Sequence, residues 1–350
     1  MNRRPATGAL LGLALGDALG YPTEFSKVST IEADHGPWRK LPLPDPAIVS
    51  DDTQMTLALA RGLRAAMARG YLAPKRLVRP VREEFVEWSR SPANNRAPGH
   101  TCMAACRILA QEQRPWSDAA QMESKGCGAN MRVAPIALAP GLSDEQRSGA
   151  AQLQAVLTHG HPTALAASDL TAYAVRSLAE GAEPGELIGL LRAYAEDSRR
   201  RYRDVWLGDF WRAAPLRSGA DFIEMGWEDC LKALGWLEGA VRHADVERDP
   251  CTYTGEGWVA EETLVTGLLC FLLVPGEPVL ALRRAACSSG DSDSIACLTG
   301  AFAGAYYGAA AWPEEWVRRV EHREELMGLG EEWDTGRAVA PATTPSPTPP

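Results

Sequence analysis

Three short acidic segments are the places where this sequence could carry out chemistry. Each one interrupts a run of apolar or small residues, at positions 16–25, 50–53 and 290–294. The acidic residues and the hydroxyl residues close to them are Asp17, Glu24, Ser50, Asp51, Asp52, Thr53, Asp291, Ser292, Asp293 and Ser294. This combination of carboxyl and hydroxyl oxygens has a structural interpretation and a catalytic one.

Helix capping is the structural interpretation of the second and third segments. Each directly precedes a predicted helix, where Ser or Asp satisfies free backbone N–H groups and suits the helix dipole. One such residue is enough for a cap, whereas Asp51 and Asp52 are adjacent and Asp291 and Asp293 are two positions apart. Carboxylates this close repel one another unless a cation lies between them. Each segment alone is compatible with capping, but the two together favour metal binding.

An all-oxygen ligand set suits a hard cation, namely Mg²⁺, Mn²⁺ or Ca²⁺. Four carboxylates with neighbouring hydroxyls provide enough ligand atoms for two such ions. The cysteines do not indicate a structural zinc site, because no two of the eight have CxxC spacing. Their scatter, partly within apolar runs, is typical of a reducing compartment, and we expect a cytoplasmic protein.

Helices must position these segments, because apolar residues recur with helical spacing along most of the chain. The pattern predicts helices at 53–69, 80–89, 101–113, 163–180, 186–197, 227–243, 261–274 and 294–311. Pro and Gly separate them, and few stretches alternate with the period of a strand. We therefore predict a compact all-α bundle.

Glycines recur every four residues near the N-terminus, at Gly8, Gly12, Gly16 and Gly20. This spacing places them on one face of a predicted first helix. Each costs about 1 kcal/mol relative to Ala inside a helix, so the pattern predicts close approach of another helix backbone or of a ligand.

Composition and length limit the possible domain organisation and function of the chain. The chain has 350 residues and a formal net charge of −9, which argues against broad nucleic-acid binding. Its length permits two domains, but no internal linker separates them, so we predict one helical domain over 1–332. A Pro/Thr/Ser/Ala-rich tail over 333–350 is predicted to be disordered. No segment has the roughly 18 uninterrupted apolar residues of a membrane span, and Asp17 disfavours an N-terminal signal peptide.

Seven motifs occur in a characteristic order along the chain. They are GDALGYPTEF at 16–25, SDDTQM at 50–55, GHT at 99–101, GCGANMRVAPIAL at 126–138, LTHGHP at 157–162, TGEGWVAEET at 254–263 and GDSDSIACLTG at 290–300. Together they resemble the ADP-ribosylglycohydrolase family. The resemblance covers nearly all of the predicted folded part, and it implies a compact orthogonal multi-helix bundle with two Mg²⁺ or Mn²⁺ ions in a cleft.

The resemblance also implies roles for the acidic segments. The matching metal ligands are Ser50, Asp51, Asp52, Asp291, Asp293 and Ser294. Glu24 matches a glutamate on a mobile loop, and it is a candidate for both catalysis and substrate binding. The implied reaction hydrolyses the N- or O-glycosidic bond that joins ADP-ribose to a protein side chain or another acceptor. The ions would fix the ribose hydroxyls and activate water, while Glu24, Asp52 or Asp291 transfers a proton.

The remaining motifs provide candidate contacts to ADP-ribose, at Gly99, Thr101, Gly126, Gly128, Asn130, Met131, His159 and Trp258. The glycine-rich turn at 126–132 offers backbone N–H groups to the diphosphate. It departs from the commoner family form, because Lys125, Gly126 and Cys127 stand where Asn-Gly usually leads the motif. The alternative to substrate contact is a structural role for His159 and a place in the hydrophobic core for Trp258. Asp17 is either a buried structural carboxylate or a group that orients the metal ligands.

Two rival functions remain open. A catalytically silent relative would bind ADP-ribose without cleaving it, and a metal-dependent phosphohydrolase would attack the diphosphate instead. The acceptor is open too, since conjugates of arginine, serine, nucleic acids and small molecules all present the same ADP-ribose.

Overall fold

The structure, a computed structural model, describes residues 3–336. Its helices in chain order are α1 (Pro5–Gly20), α2 (Val28–His35), α3 (Asp51–Met67), α4 (Pro74–Arg90), α5 (His100–Leu109), α6 (Ala134–Leu138), α7 (Asp144–Val156), α8 (Pro162–Glu180), α9 (Pro184–Ser198), α10 (Asp204–Leu207), α11 (Gly219–His243), α12 (Cys251–Thr254), α13 (Ala260–Leu273), α14 (Pro278–Ala286), α15 (Ser292–Tyr307), α16 (Glu314–Arg319) and α17 (Arg323–Thr335). Within the described residues the only β-type pairs are three isolated bridges, so the predicted all-α class is confirmed.

The glycine face of α1 packs directly against α15 at the centre of the molecule. Every residue of α1 from Ala6 to Gly20 is buried. A Cβ on Gly12 would overlap the backbone of Gly300, and a Cβ on Gly20 would lie 2.5 Å from the Cα of Asp293. Close approach of a second helix backbone, as predicted from the spacing, is therefore the reason for these glycines. It also brings the end of α1 to the start of α15, where the third acidic segment lies.

The predicted helices are present, with differences at several ends. Helix α4 begins at Pro74, so Pro80 lies inside it rather than at its start. Helix α15 stops at Tyr307, because Gly308 has a positive φ and ends the helix before Ala311. Helix α7 was not predicted, since small and polar residues blur its apolar periodicity, although all but its first two residues are buried.

The C-terminal prediction is only partly within the described residues. Helix α17 continues through Thr335, so residues 333–335 are helical and not part of a disordered tail. Trp333 is buried, which explains why the helix extends past the predicted boundary at 332. Residues 337–350 lie outside the described part. Among residues 3–336 no helix is both long and apolar enough to span a membrane.

Candidate active site

The first turn of α3 carries the second acidic segment, and Asp17 holds that turn in place. Ser50 caps α3, and its hydroxyl accepts a hydrogen bond from the backbone N–H of Asp52 at 3.3 Å. Asp17, on α1, accepts hydrogen bonds from the N–H of Ser50 at 2.9 Å and from the N–H of Thr53 at 3.0 Å. Because Asp17 uses the backbone donors of this turn, the carboxylates of Asp51 and Asp52 are left available for other partners.

The first turn of α15 carries the third acidic segment. Asp291 is the N-cap residue, and Asp293 accepts a hydrogen bond from the backbone N–H of Ser294 at 2.9 Å. The hydroxyl of Ser292 donates to the carbonyl oxygen of Gly20 at 3.0 Å, which joins this turn to the end of α1. Capping and clustering therefore both occur here, since Asp291 and Asp293 both accept the N–H of Ser294 and both side chains are buried.

Glu24 completes the cluster from the loop after α1. One carboxylate oxygen from each of Glu24, Asp291 and Asp293 lies within 4.8 Å of the other two. The Thr23 hydroxyl lies 2.6 Å from the carbonyl oxygen of Ala286, at the end of α14, and 3.0 Å from the hydroxyl of Ser292, which anchors this loop beside the start of α15. Glu24 thus lies where it can share a cation with the two aspartates, in addition to the catalytic and binding roles predicted for it.

Burial, and after it mutual repulsion, raises the pKa values of the clustered carboxyls. Burial, with the charges of Asp293, Asp51 and Asp17, raises the pKa of Glu24 to about 9. Burial and the charge of Asp293 raise the pKa of Asp51 to about 8. For Asp52 and Asp293 the pKa is raised well above its usual range, in both cases by burial first and a neighbouring aspartate second. The cluster is therefore an unfavourable concentration of negative charge that a cation would relieve.

Two observations indicate that the cluster suits a hard divalent cation. Within the described part of the chain, Oδ2 of Asp52 and Oε2 of Glu24 are buried and have no hydrogen-bond partner. Buried acceptors without donors are costly, so atoms of this kind indicate a missing electropositive partner. The carboxylate and hydroxyl oxygens are the ligand types that Mg²⁺ and Mn²⁺ take. Asp51 is held at the rim, where its Oδ2 accepts the N–H of Gly99 at 3.2 Å.

The glycine-rich turn is built over His159. A Cβ on Gly128 would lie 3.0 Å from Cε1 of His159, and a Cβ on Gly126 would lie 3.4 Å from its Nε2. The backbone N–H of Cys127 donates to the carbonyl oxygen of Trp258 at 3.3 Å, and that of Met131 donates to Cys127 at 3.0 Å. These two N–H groups are used inside the protein, so a phosphate would have to bind other donors of the turn.

His159 lies under this turn with its side chain 2% exposed. Its Nδ1 is 2.8 Å from the hydroxyl of Thr158, which accepts a hydrogen bond from Arg132 at 2.8 Å. Burial, together with the charge of Arg132, lowers the pKa of His159 to about 3. The ring is therefore neutral at physiological pH, and it lies between Thr158 and the turn. His161 is structural, since its Nδ1 accepts the N–H of Thr163 and caps α8.

Three other predicted substrate contacts are engaged within the protein. Asn130 is buried, and its amide donates to the carbonyl oxygen of Ala260 at 3.0 Å. Met131 is buried beside it, and the hydroxyl of Thr101 lies 2.9 Å from that of Ser124. Asn130 thus ties the glycine-rich turn to the start of α13.

Trp258 lies at the surface beside the acidic cluster, in a stack with Phe25. The side chain of Trp258 is 38% exposed and that of Phe25 is 71% exposed. Their ring centroids are 5.3 Å apart with an interplanar angle of 16°. Phe25 directly follows Glu24 and has a φ of 64°, a backbone conformation that is unfavourable for an aromatic residue. Sequence reasoning identified Trp258 but missed this stack, which no local pattern signals.

The family model described as ADP-ribosylglycohydrolase matches residues 2–343 of the chain. The chain is 27% identical over 328 residues to "ADP-ribosyl-[dinitrogen reductase] glycohydrolase" of Rhodospirillum rubrum, with 91% of each protein covered. It is 29% identical over 363 residues to "ADP-ribosylhydrolase ARH3" of Mus musculus, with 93% of this chain and 89% of the relative covered.

A solved structure also resembles the fold. It is a chain of an "ADP-ribosylglycohydrolase-related protein complex", with a TM-score of 0.66 and 27% sequence identity. The superposition covers 95% of this chain and 98% of that one.

Proposed function

Because the chain belongs to the ADP-ribosylglycohydrolase family and is a hydrolase of ADP-ribosyl linkages, we propose that its reaction depends on two Mg²⁺ or Mn²⁺ ions. The observation that carries this proposal is the convergence of Glu24, Asp291 and Asp293, whose carboxylate oxygens lie within 4.8 Å of one another. The ions would be held by the residues predicted from the sequence, Ser50, Asp51, Asp52, Asp291, Asp293 and Ser294, together with Glu24.

The partners of the site are proposed to be ADP-ribose conjugates. The dinitrogen reductase named in the Rhodospirillum rubrum relative is an ADP-ribosylated protein, which supports a modified protein as one substrate class. The carboxylates of the acidic cluster would repel the negatively charged diphosphate. They therefore favour recognition of the ribose through bound cations. Broad nucleic-acid binding is not proposed, since the chain carries a net charge of −9.

Charge development in the reaction explains the use of so many carboxylates. Cleavage of the glycosidic bond builds positive charge on the ribose ring, which nearby carboxylates stabilise. Mg²⁺ or Mn²⁺ held by these residues would supply Lewis acidity, which would fix the ribose hydroxyls and lower the pKa of a water near the anomeric carbon. Asp17 contributes by holding the first turn of α3 through the N–H groups of Ser50 and Thr53.

Glu24 is the carboxyl best placed to move the proton. It lies on a loop at the rim of the cluster, and its Oε2 has no partner among the described residues. The pKa of about 9, raised by burial and by three aspartates, lets Glu24 keep a proton at neutral pH when no cation offsets those charges. A cation beside it favours the ionised form, so Glu24 can exchange a proton with water or with the leaving group.

The aromatic ring of Trp258 is proposed as a flat surface for the nucleotide. It is exposed beside the glycine-rich turn, and its indole N–H donates to Glu256 at 3.1 Å, which fixes the orientation of the ring. Gly99, Gly126 and Gly128 border the same region with their backbones. His159 supports this region from below, through its contact with the glycine-rich turn.

A turnover panel of defined conjugates tests the proposal. Peptides with ADP-ribose on arginine or serine, a nucleic-acid conjugate and a small-molecule conjugate are each incubated with Mg²⁺, Mn²⁺ or chelator. We expect at least one conjugate to be cleaved with metal and none with chelator, and Asp51→Asn to lose the activity. Equal rates with and without metal would overturn the metal dependence. ADP-ribose binding without turnover on any conjugate would support the silent relative.

A further inference from the structure

Arg132, at the end of the glycine-rich turn, is a fully buried cation that forms no ion pair with a carboxylate among the described residues. Its Nε donates to Oε1 of Gln154 at 2.8 Å, and one terminal nitrogen contacts the sulfurs of Met55 and Cys102. The other terminal nitrogen donates to the carbonyl oxygen of Gln154 at 2.9 Å and to the hydroxyl of Thr158 at 2.8 Å. Because a guanidinium has donors only, the oxygen of Thr158 must be the acceptor in this last bond.

The hydroxyl of Thr158 therefore has its own hydrogen left to donate, and two acceptors lie near it. Nδ1 of His159 is 2.8 Å from the hydroxyl oxygen, whereas the carbonyl oxygen of Ala155 is 3.4 Å from it. The first distance is that of a well-formed hydrogen bond, and the second is longer than such bonds usually are. The hydroxyl thus donates to Nδ1, which must then carry a lone pair and no proton.

The charge of Arg132 favours the same arrangement. A neutral imidazole has a proton on one ring nitrogen and a lone pair on the other. With the lone pair on Nδ1, the negative end of the ring dipole faces the guanidinium that holds Thr158. In the opposite tautomer the N–H of His159 would point towards this cation, and both groups would donate to one hydroxyl oxygen.

The other ring nitrogen, Nε2, lies under the glycine-rich turn. A Cβ on Gly128 would lie 3.3 Å from it and a Cβ on Gly126 would lie 3.4 Å from it, so the glycines keep this edge of the ring free of side chains. Among residues 3–336 Nε2 of His159 makes no hydrogen bond, although the residue is only 2% exposed. A buried donor without an acceptor in the protein indicates that a ligand supplies the acceptor.

We propose that Thr158 is a positioning residue that, with its hydroxyl oriented by Arg132, fixes His159 as the tautomer with the proton on Nε2. His159 then offers an N–H donor, and not a lone pair, at the glycine-rich turn. Only a donor suits the oxygens of an anionic ligand such as the diphosphate of ADP-ribose. The inference rests on the proposed function for its ligand, since His159 is one of the expected ADP-ribose contacts, but the tautomer is a property of the free protein.

The experiment is two-bond ¹H–¹⁵N correlation spectroscopy of the imidazole rings in the full chain labelled with ¹⁵N-histidine. In such spectra a protonated ring nitrogen resonates far upfield of an unprotonated one. The chain has six histidines, and the signals of His159 are identified by their loss in His159→Gln. The test variants are Thr158→Val, which removes the hydroxyl at nearly constant volume, and Thr158→Ser, which retains it. Thr171→Val is the matched control, because Thr171 is buried and its hydroxyl has no partner among the described residues.

We expect the wild type, Thr158→Ser and Thr171→Val to show Nε2 of His159 protonated and Nδ1 unprotonated. In Thr158→Val the Nδ1 resonance should shift, because the hydrogen bond that it accepts is lost, and the other tautomer should become populated. A wild type with the proton on Nδ1 would overturn the inference, even if Thr158→Val failed to fold. An unchanged His159 spectrum in folded Thr158→Val would also overturn it.

Binding and turnover of ADP-ribosyl compounds separate this inference from the proposed function. Thr158→Val should bind ADP-ribose about five-fold more weakly and raise KM by a similar factor with kcat nearly unchanged, and Thr158→Ser should restore both values. Equal ADP-ribose affinities of Thr158→Val and Thr171→Val would overturn the role of Thr158 in binding. If the wild type binds ADP-ribose in the expected tautomer but cleaves no conjugate, the proposed function fails and the positioning role stands.

Discussion

Asp17 accepts hydrogen bonds from both the backbone N–H and the hydroxyl of Thr53, and thereby joins the central helix α1 to the first turn of α3. The other oxygen of Asp17 accepts the N–H of Ser50. A carboxylate inside an apolar glycine-rich helix thus controls the position of the neighbouring acidic segment. Of the two roles that the sequence left open for Asp17, the structure supports the one that orients the proposed metal ligands.

Asp17→Asn tests this relationship. The amide would present an N–H group towards the donors of Ser50 or Thr53, so at least one buried donor loses its acceptor. We expect the free energy of unfolding to fall by about 2–3 kcal/mol, and Mn²⁺ affinity to fall as well because the first turn of α3 is displaced. Urea denaturation and Mn²⁺ titration measure the two effects.

Asp334→Asn is the matched control. Asp334 accepts the N–H groups of Ala6 and Thr7 and the hydroxyl of Thr7, which is the same pattern at the start of α1. This substitution should lower stability without changing Mn²⁺ affinity. The account of Asp17 is wrong if both variants lose Mn²⁺ affinity equally, or if Asp17→Asn binds Mn²⁺ as the wild type does.

Asp293→Asn should distinguish the effect of charge repulsion on the free energy of unfolding from the effect of metal binding. Removal of one negative charge relieves the cluster, so the metal-free variant should be more stable than the metal-free wild type by about 1 kcal/mol. A metal concentration of 100 times the dissociation constant should stabilise the wild type by about 2.7 kcal/mol and the variant by much less. Calorimetric unfolding with and without Mn²⁺ measures both differences. An equal metal-induced stabilisation of the two proteins would show that Asp293 is not a ligand.

His159 should remain neutral throughout the range in which the protein is active. Burial and the charge of Arg132 lower its pKa to about 3, below the ordinary value of 6.5. Between those values the unfolded chain binds more protons than the folded one, so this group's contribution to stability is complete above pH 6.5 and is lost as the pH falls. The expected slope is about 1.4 kcal/mol per pH unit.

The measurement on His159 is its ring-proton chemical shift in nuclear magnetic resonance spectra. The shift should not change between pH 8 and about pH 4.5. Titration of His159 near its ordinary value would contradict its placement beneath the glycine-rich turn.

Trp258→Ala should weaken ADP-ribose binding about five-fold or more, since aromatic stacking contributes roughly 1 kcal/mol beyond the area buried. Trp236→Ala is the control, because Trp236 is 40% exposed on α11 and thus matches Trp258 in size and exposure.

Phe25→Ala removes the ring that stacks on Trp258 but leaves Trp258 itself in place. We expect this variant to lower kcat, because Glu24 becomes less ordered, rather than to raise KM. Calorimetric affinities and steady-state kinetics distinguish the three variants. A Trp258→Ala protein that binds ADP-ribose as tightly as Trp236→Ala does would remove Trp258 from the nucleotide site.

The sequence correctly predicted those features of the fold that depend on local patterns. The spacing of Gly8, Gly12, Gly16 and Gly20 is a property of one helix, and it correctly predicts a close helix contact. The clustered aspartates before two helices are also recognisable in the local sequence. Their convergence with Glu24, however, depends on the tertiary structure. The motif resemblance, and not periodicity, indicated that those segments meet.

The features that sequence reasoning missed depend on tertiary contacts. Pro80 lies inside α4 because that helix packs its buried face around it, which overrides the local preference of proline for a helix start. The stack of Phe25 on Trp258 and the hydrogen bond from Cys127 to Asp291 each join residues more than 160 positions apart. No pattern of spacing in the chain specifies such pairs.

The most direct test of the central claim is product analysis of one cleaved ADP-ribosyl conjugate, with metal-free protein and with the same protein after Mn²⁺ is restored. We expect no product without metal, and release of intact ADP-ribose together with the unmodified acceptor once Mn²⁺ is added. Release of intact ADP-ribose at an equal rate in chelator would contradict the role of the metal, and release of AMP would contradict cleavage at the glycosidic bond.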